Sequence, residues 1–487
     1  MNEPLNSFEC IVRTLSPVHI GSGEKYLNHL DYLINGQKIQ IFDKRKLFNF
    51  VEKNCNEYEV LEFTKSIANR YLSGWLKEKQ IDLKEIILKS YNIASANMPR
   101  EIQVHVKDGA GVPVIPGSSL KGALRTAILR DLKQKYCNEA LQNTLDRIER
   151  ESNFRDRELK FLDQTIAKKA LGKDPNHNIM RLLSVGDFTF EESSLALLEA
   201  VIKSLSTTGT LAEKTFKIYP EVLMPGQQGR GIITFDKFLS WEDSKYNGEI
   251  FHFKAELSLE YLIHVVNNTS LNIIRKEITF FEERNPTVAK FYNKLQSELD
   301  SLAEDELITR IGWGSGWNSI TGELLSSKHL TDDLRRKLKL APHRLEFDFP
   351  KTRKLARVGS ELQPLGWVKL KFKDREQVRK EKRERREREI EEARKLEEKR
   401  KAEEERKSYL ASLCPEERDI EIVKDPTVSE QKVVEIFNKI DSFAETNKKK
   451  LAEALKNYWI NHNKWKGKLS EKQKKKVARI KEILEKG

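Results

Sequence analysis

Two spacings of apolar residues divide the chain: alternation at every second position marks strands, and recurrence at three and four residues marks helices. Phe8–Leu15 reads as a strand, which Ser16-Pro17 ends. His19-Ile20-Gly21-Ser22-Gly23-Glu24 follows as a glycine-containing turn. Leu30–Ile34 and Lys38–Phe42 flank Asn35-Gly36, and the tolerance of both residues for positive φ predicts a hairpin. Asp43 can cap a helix running to about Lys53, and helical periodicity covers Val60–Leu76 and Leu83–Tyr91. Ile102–Val106 and Val112–Ile115 read as short strands, and Ile115–Ala127 crosses from strand to helix. Asn138–Leu171 is a charge-rich helical stretch with the character of an insertion. Strands resume at Leu182–Phe190, Phe216–Leu223 and Gly231–Phe235. Helices are predicted from Ser258 to Glu283 and from Thr287 to Leu302, and a last strand over Trp367–Phe372. Strands and helices mixed in this order predict α+β layers rather than a regular βαβ series.

The pattern changes at Arg375. From there to Lys407, 27 of 33 residues are charged, without proline or glycine. Opposite charges often stand four apart, as in Glu381–Arg385 and Glu384–Arg388, which supports a solvated single helix. Ile390, Ala393 and Leu396 are too few for a coiled-coil seam. Helical periodicity returns with Val433, Val434, Phe437 and Ile440, then Leu451, Leu455 and Trp459.

Charge adds a direction. Residues 1–374 hold 55 basic and 50 acidic side chains, and residues 375–487 hold 33 and 25, so the shorter segment carries +8 of the net +13. That excess favours a polyanionic partner without naming it. The longest apolar runs, such as Leu195–Leu198 and Leu262–Val266, fall far short of the ~20 residues a membrane helix needs. Met1–Cys10 lacks the basic-then-apolar order of a secretory signal. Cys10, Cys55, Cys137 and Cys414 lie too far apart for the short spacings of zinc sites, which suits reduced thiols in a cytoplasm.

Pro116–Arg130 carries the best local signal. Leu120, Ala123, Leu124, Ala127 and Ile128 make one apolar face, and Ser118 or Ser119 is a natural N-cap. Lys121 and Arg125 share one side, and Gly122 lets another backbone approach. A helix start with two cations suits a phosphate. An ordinary amphipathic helix with solvated cations has the same pattern. The order of residues is the reverse of a nucleotide P-loop, and Gly21-Ser22-Gly23 lacks the third glycine of a dinucleotide fingerprint. A second signal is Gly312-Trp313-Gly314-Ser315-Gly316-Trp317. Its glycines could admit a ribose–phosphate chain and its tryptophans stack on bases, or it is a structural turn with buried rings. Lys351-Thr352-Arg353-Lys354 with Arg357 forms a basic strip or a solvated charge run. His19 has the chemistry of a general base for a ribose 2′-OH, but no partner is fixed and the structural role is the plainer one. Asp31 alone is weak evidence for a Mg²⁺ site.

Together, Ser16–Gly23, Ile115–Arg125 and Ile311–Trp317, followed by Phe349–Arg353 and Pro364-Leu365-Gly366-Trp367-Val368, resemble the RAMP superfamily of CRISPR proteins. Within it the likeness is to the subunit-five family of the type III-A effector, the Csm complex, and spans about residues 8–372. The resemblance implies a modified RRM-like (ferredoxin-like) core with large insertions. It also implies a subunit that caps the 3′-end side of the guide RNA and supports its maturation and antiviral defence without catalysis of its own. The expected organisation is therefore an RNA-binding region at 1–374 with helical insertions at about 44–100 and 138–171, a charged helical linker at 375–407, and a small basic helical domain at 408–487. The expected partners are guide RNA, the backbone RAMP subunit, the small helical subunits and host ribonucleases, with no membrane. Expected RNA-contacting residues are His19, Gly21, Ser22, Gly23, Gly117, Ser118, Ser119, Lys121, Gly122, Arg125, Gly312, Gly314, Gly316, Trp317, Lys351, Arg353 and Lys354. No catalytic residue, cofactor or metal ligand is assigned. The backbone paralogue cuts target RNA with an aspartate; Asp31 is the nearest match here, in a different context, and that activity is not carried over. The alternative is a metal-independent repeat endoribonuclease using His19. For the tail, Tyr458, Trp459 and Trp465 among lysines suit RNA stacking, and a protein-docking arm is the other reading.

Overall fold

A computed structural model describes residues 5–92, 99–150, 162–236, 257–320, 331–340, 345–346, 349–373, 375–467 and 469–485. Parts of both expected insertions, 93–98 and 151–161, lie outside the described residues. The chain divides into two compact units, Met1–Val378 and Arg379–Gly487.

The first unit is organised by a seven-stranded sheet made of β1 (Leu5–Thr14), β2 (Val114–Ile115), β3 (Leu183–Val185), β4 (Phe188–Thr189), β5 (Gln228–Asp236), β6 (Glu306–Arg310) and β7 (Trp367–Lys373). β1 is central, antiparallel to β5 on one side and β7 on the other. β3 and β4 both pair with β5, and β6 lies outside β7. Two helices complete the core, α1 (Gly117–Tyr136) and α2 (Leu259–Phe281). Taken as β1-α1-β3-β5-α2-β7, the strands stand in the order β7-β1-β5-β3. This is the ferredoxin-like arrangement, with β6 as an added edge. The fold is thus α+β and RRM-like.

Local sequence explains these elements. Cys10, Val12 and Thr14 of β1 are buried at alternate positions, while Arg13 is exposed. Leu120, Leu124, Ala127, Ile128 and Leu132 of α1 enter the same core as Leu262, Val265 and Val266 of α2. Ser258 caps α2 by accepting from Tyr261 N–H at 3.1 Å. α3 (Pro286–Asp300) begins with proline after the cap Asn285, and packs Tyr292 and Leu295 into a second core with Ile273, Ile274 and Trp367.

Two expectations are corrected. Leu83–Tyr91 is not a helix: after a short turn at Leu83–Glu85, Ile87–Asn92 is a strand paired with Lys38–Phe42. Ile87, Lys89 and Tyr91 lie inward of Leu88, Ser90 and Asn92, a two-residue period within a run too short to separate it from a helical one. The Asn35-Gly36 hairpin forms, with Asn35 opposite Lys38 and Gly36 at φ +59. Neither Ser118 nor Ser119 caps α1. Pro116 occupies the cap position, and the carboxylate of Asp187, just before β4, accepts from Gly117 N–H at 2.7 Å. Gly117 has no room for a side chain, because a Cβ would stand 2.0 Å from Val185 O.

Three loops meet at the ends of β1, β6 and β7. Gly366 N–H donates to Pro17 O at 2.9 Å, and Trp313 N–H to His19 O at 2.8 Å. Ile311 N–H donates to Gly366 O at 2.8 Å, and Trp367 N–H to Ser16 Oγ at 2.9 Å. Gly312 (φ +73) and Gly366 (φ +92) permit this approach: a Cβ would lie 2.5 Å from His19 O at the first and 2.1 Å from Ile311 O at the second. Arg310 fastens the loop further, donating to Leu365 O at 2.8 Å and Gly314 O at 3.2 Å.

The second unit begins within α4 (Arg375–Ser412), a 38-residue helix about 57 Å long at 1.5 Å per residue. Ion pairs such as Lys401–Glu397 at 3.2 Å support it, and Ile390 and Leu396 remain exposed. Arg418 holds its end, donating to Leu410 O at 2.6 Å and Leu413 O at 3.1 Å. α5 (Pro415–Lys424), α6 (Glu430–Phe437), α7 (Glu445–Asn461) and α8 (Glu471–Glu485) form a separate core. Tyr458, Trp459 and Trp465 belong to that core, at 6%, 1% and 8% exposure, so the expectation that they stack on RNA is corrected. Among the described residues, no helix is long and apolar enough to cross a membrane.

The clasp gives a stability test. Gly312→Ala should cost about 3 kcal/mol or more, from ~1–2 for the left-handed backbone and ~1–3 for overpacking against His19 O. Gly316→Ala, where no atom lies closer than 4.0 Å, should cost only ~1–2 kcal/mol. Urea denaturation midpoints of the two variants measure the difference.

Candidate nucleic-acid interface

α1 forms one wall of an open groove of about 420 Å³. Lys121 and Arg125 line it from the helix; Gln164 and Lys168 face them from the helix Leu162–Leu171, and Asn178 and Arg181 from the turn before β3. Among the described residues, no carboxylate pairs with Lys121, Arg125 or Lys168. Asp174 also lines the groove, but its carboxylate receives His177 Nδ1 at 2.7 Å. Partial burial pushes the Lys121 ammonium below the ordinary lysine range, so an anion beside it would favour the charged form. Gly122 is exposed on the helix with no protein atom within 4 Å of a would-be Cβ. Ser118 is exposed and Ser119 half-buried in the first turn. Asp187 already holds the first amide of α1, and the two cations line the groove from the helix flank. Lys168 and Arg181 are not among the residues expected from sequence. Nothing in their spacing relates them to Lys121, and the twin lysines at 168–169 are the only local hint.

The other expected contacts divide by environment. Gly21, Ser22 and Gly23 are exposed at the start of the strand Gly21–Leu27, and Gly23 has open space beside it. Gly316 is exposed, whereas Gly312 and Gly314 press against His19 O and Leu365. At Gly312 and Gly314 protein atoms take the space a side chain would need, while both residues stay half-exposed. Trp317 is half-buried, edge-on to Phe349 at 5.1 Å, and its neighbour Asn318 accepts from Arg130 through its carbonyl.

The basic strip is also reassigned in part. Arg353 Nε meets Glu277 at 2.7 Å, with both side chains nearly buried, and its guanidinium stands 3.9 Å over Phe280. It is an internal ion pair, not an exposed phosphate contact. Lys354 lies 4.4 Å over the Trp313 ring, and burial lowers its pKa. Lys351 is half-buried at the head of the strand Thr352–Val358.

His19 is buried, so its side chain is not a surface RNA contact. Its Nδ1–H donates to Glu221 O at 2.7 Å, and desolvation pushes its pKa down. His105 stands edge-on at 6.0 Å, accepting from Ile20 N–H and donating through Nε2 to Val114 O; burial and the neighbouring ring lower its pKa to about 3. Beneath them, buried Glu221 receives Tyr91 Oη at 2.5 Å, His105 N–H at 3.0 Å and Lys107 Nζ at 2.9 Å. This network satisfies a buried carboxylate and holds the loop after β1. Asp31 is likewise engaged, accepting from Leu27 N–H at 2.7 Å and pairing with Lys44 at 2.6 Å. Among the described residues, no group of three or more His, Cys, Asp or Glu side chains could hold a metal.

With the ferredoxin-like sheet and the three interlocked motif loops in view, the profile of the RAMP superfamily matches residues 11–319. That covers more than half of the chain, and the protein belongs to the RAMP superfamily. Within it, the chain is similar to proteins named "CRISPR system Cms protein Csm5". The one from Streptococcus thermophilus is 33% identical over 165 residues, 31% of this chain and 46% of that protein. The one from Methanocaldococcus jannaschii is 26% identical over 393 residues, 73% of this chain and 87% of that protein. The chain thus spans about half the length of the first relative and most of the second. A chain in the cryo-EM structure of a Csm–crRNA–target RNA ternary complex of a type III-A CRISPR–Cas system superposes with a TM-score of 0.58 at 23% identity. It covers 75% of this chain and 100% of that one, a likeness of fold.

Arg353→Ala would leave Glu277 buried without its charge partner. A loss of about 3–5 kcal/mol in chemical denaturation is expected, far beyond the effect of Lys121→Ala at the groove.

Proposed function

We propose that this chain is an RNA-binding subunit of a type III-A CRISPR effector, and that it grips the sugar–phosphate backbone of the guide in the groove beside α1. The observation that carries the reading is the set of cations Lys121, Arg125, Lys168 and Arg181 around an open groove, next to the unobstructed Gly122. A ribonucleotide strand needs positive side chains and close approach there, and backbone contacts position it without reading sequence. The names of the relatives, and the RNA-bound complex that holds the neighbour in fold, support this reading. In this reading the subunit caps the 3′-end side of the guide and supports 3′-end maturation and antiviral defence. It has no catalytic role of its own. The backbone RAMP and small helical subunits are its neighbours, host ribonucleases act on the exposed RNA end, and the complex works in the cytoplasm.

The test is fluorescence anisotropy of the full chain with a labelled 40-nucleotide RNA across a salt series. Lys121→Ala/Arg125→Ala should weaken binding roughly 10- to 30-fold at 0.1 M salt and reduce the slope of log K against log salt by about 1.4, the value for two fewer phosphates neutralised on a single strand. Unchanged affinity and slope in the folded variant would overturn the assignment.

A pH series separates charge from shape. Because burial lowers the Lys121 pKa in the free protein, its charge is lost as pH rises, before that of ordinary lysines. RNA affinity should therefore fall on the alkaline side, and Lys121→Arg should flatten that fall while keeping neutral-pH affinity.

A further inference from the structure

The C-terminal unit is polarised. Residues 408–445 hold nine acidic and four basic side chains, and residues 446–487 hold four acidic and fourteen basic. The boundary falls at the start of α7, so α5 and α6 form an acidic half, and α7 and α8 a basic one. The apolar sides of α7 and α8, with Leu451, Leu455, Val477 and Ile480, turn into the core and leave the lysines outward. Between the two helices runs a groove of about 790 Å³, walled by Lys448, Lys449 and Lys450 from α7 and Arg479 from α8. Lys472 and Lys475 precede Arg479 at three- and four-residue steps, which extends the same stripe along α8. Lys450, Lys472 and Lys475 are exposed. The groove is not uniformly positive: Glu445, Glu453 and Glu482 also line it, and Lys448 and Arg479 meet Glu445 and Glu482 at 3.1 and 3.0 Å.

We infer that this α7–α8 face is a second RNA-binding surface, independent of the groove beside α1, and that it holds a single strand through its phosphates alone. The three aromatic rings that would stack on bases are in the core, so stacking on them is no part of the mechanism. The same observation separates RNA from an acidic protein. A stable protein interface is anchored by buried aromatic or aliphatic side chains. On these two helices, Ile460 is the sole exposed large apolar residue among those described. A phosphate chain needs spaced cations, which the stripe provides, and the acidic half repels it, so the strand is confined to one side of the unit.

The probe is a labelled 40-nucleotide uridine RNA, titrated into the full chain at several salt concentrations, with a labelled polyglutamate peptide in parallel. Lys450→Gln/Lys472→Gln/Lys475→Gln should lower the salt slope by about 0.7 for each phosphate no longer neutralised, and Glu453→Lys, adding a cation to the groove wall, should tighten RNA binding several-fold. Combining the triple change with Lys121→Ala/Arg125→Ala should multiply the losses, because the surfaces act separately. Unchanged RNA affinity in both the triple variant and Glu453→Lys overturns the inference. Loss of polyglutamate binding with RNA binding intact also overturns it, in favour of an acidic protein partner. Should the triple variant fail to fold, Glu453→Lys alone decides.

Discussion

The carbonyls of Pro17 and His19 hold the first unit together at the end of its central strand. They accept from Gly366 and Trp313, and thereby tie the loop leaving the central strand to two segments some three hundred residues later in the chain. Such contacts close large loops, and they are possible only because Gly312 and Gly366 lack a Cβ where another backbone passes. Glu221 acts from below. Its carbonyl fixes the His19 ring and its carboxylate gathers Tyr91, Lys107 and the amide of His105. The glycine motifs that mark the chain as a RAMP protein are thus, in large part, conditions for the clasp to form.

Two populations of cation separate in the same unit. Arg353 and Lys107 face buried carboxylates, and their removal would leave a desolvated charge alone. Lys121, Arg125 and Lys168 face an open groove, where charge is available to a partner in solution. Equal formal charges therefore serve opposite ends, one maintaining the fold and the other presenting a field.

Much of the fold was legible because its signals are local. The alternation in β1, the apolar stripe of α1, the Asp43 cap and the Asn35-Gly36 turn each lie within a few residues. Of the candidate groove, only the α1 side was legible. Arg353 looked like part of a basic strip because Glu277 is 76 residues away. Lys168 and Arg181 reach the groove by tertiary placement. Asp187 took the role expected of a serine because it is brought to Gly117 across 70 residues. The tail differs: Leu451, Leu455 and Trp459 recur every fourth residue, so the burial of Trp459 was already written in the spacing.

The Asp187 carboxylate on the first amide of α1 has one more effect. A phosphate seated on fixed backbone amides is locked to a single position. With that seat taken, retention along the helix flank falls to long, rotatable side chains, whose tips can follow an oxygen that moves by ångströms. A polyanion bound there as proposed would be gripped without a fixed pitch, and would be free to shift lengthwise while remaining bound.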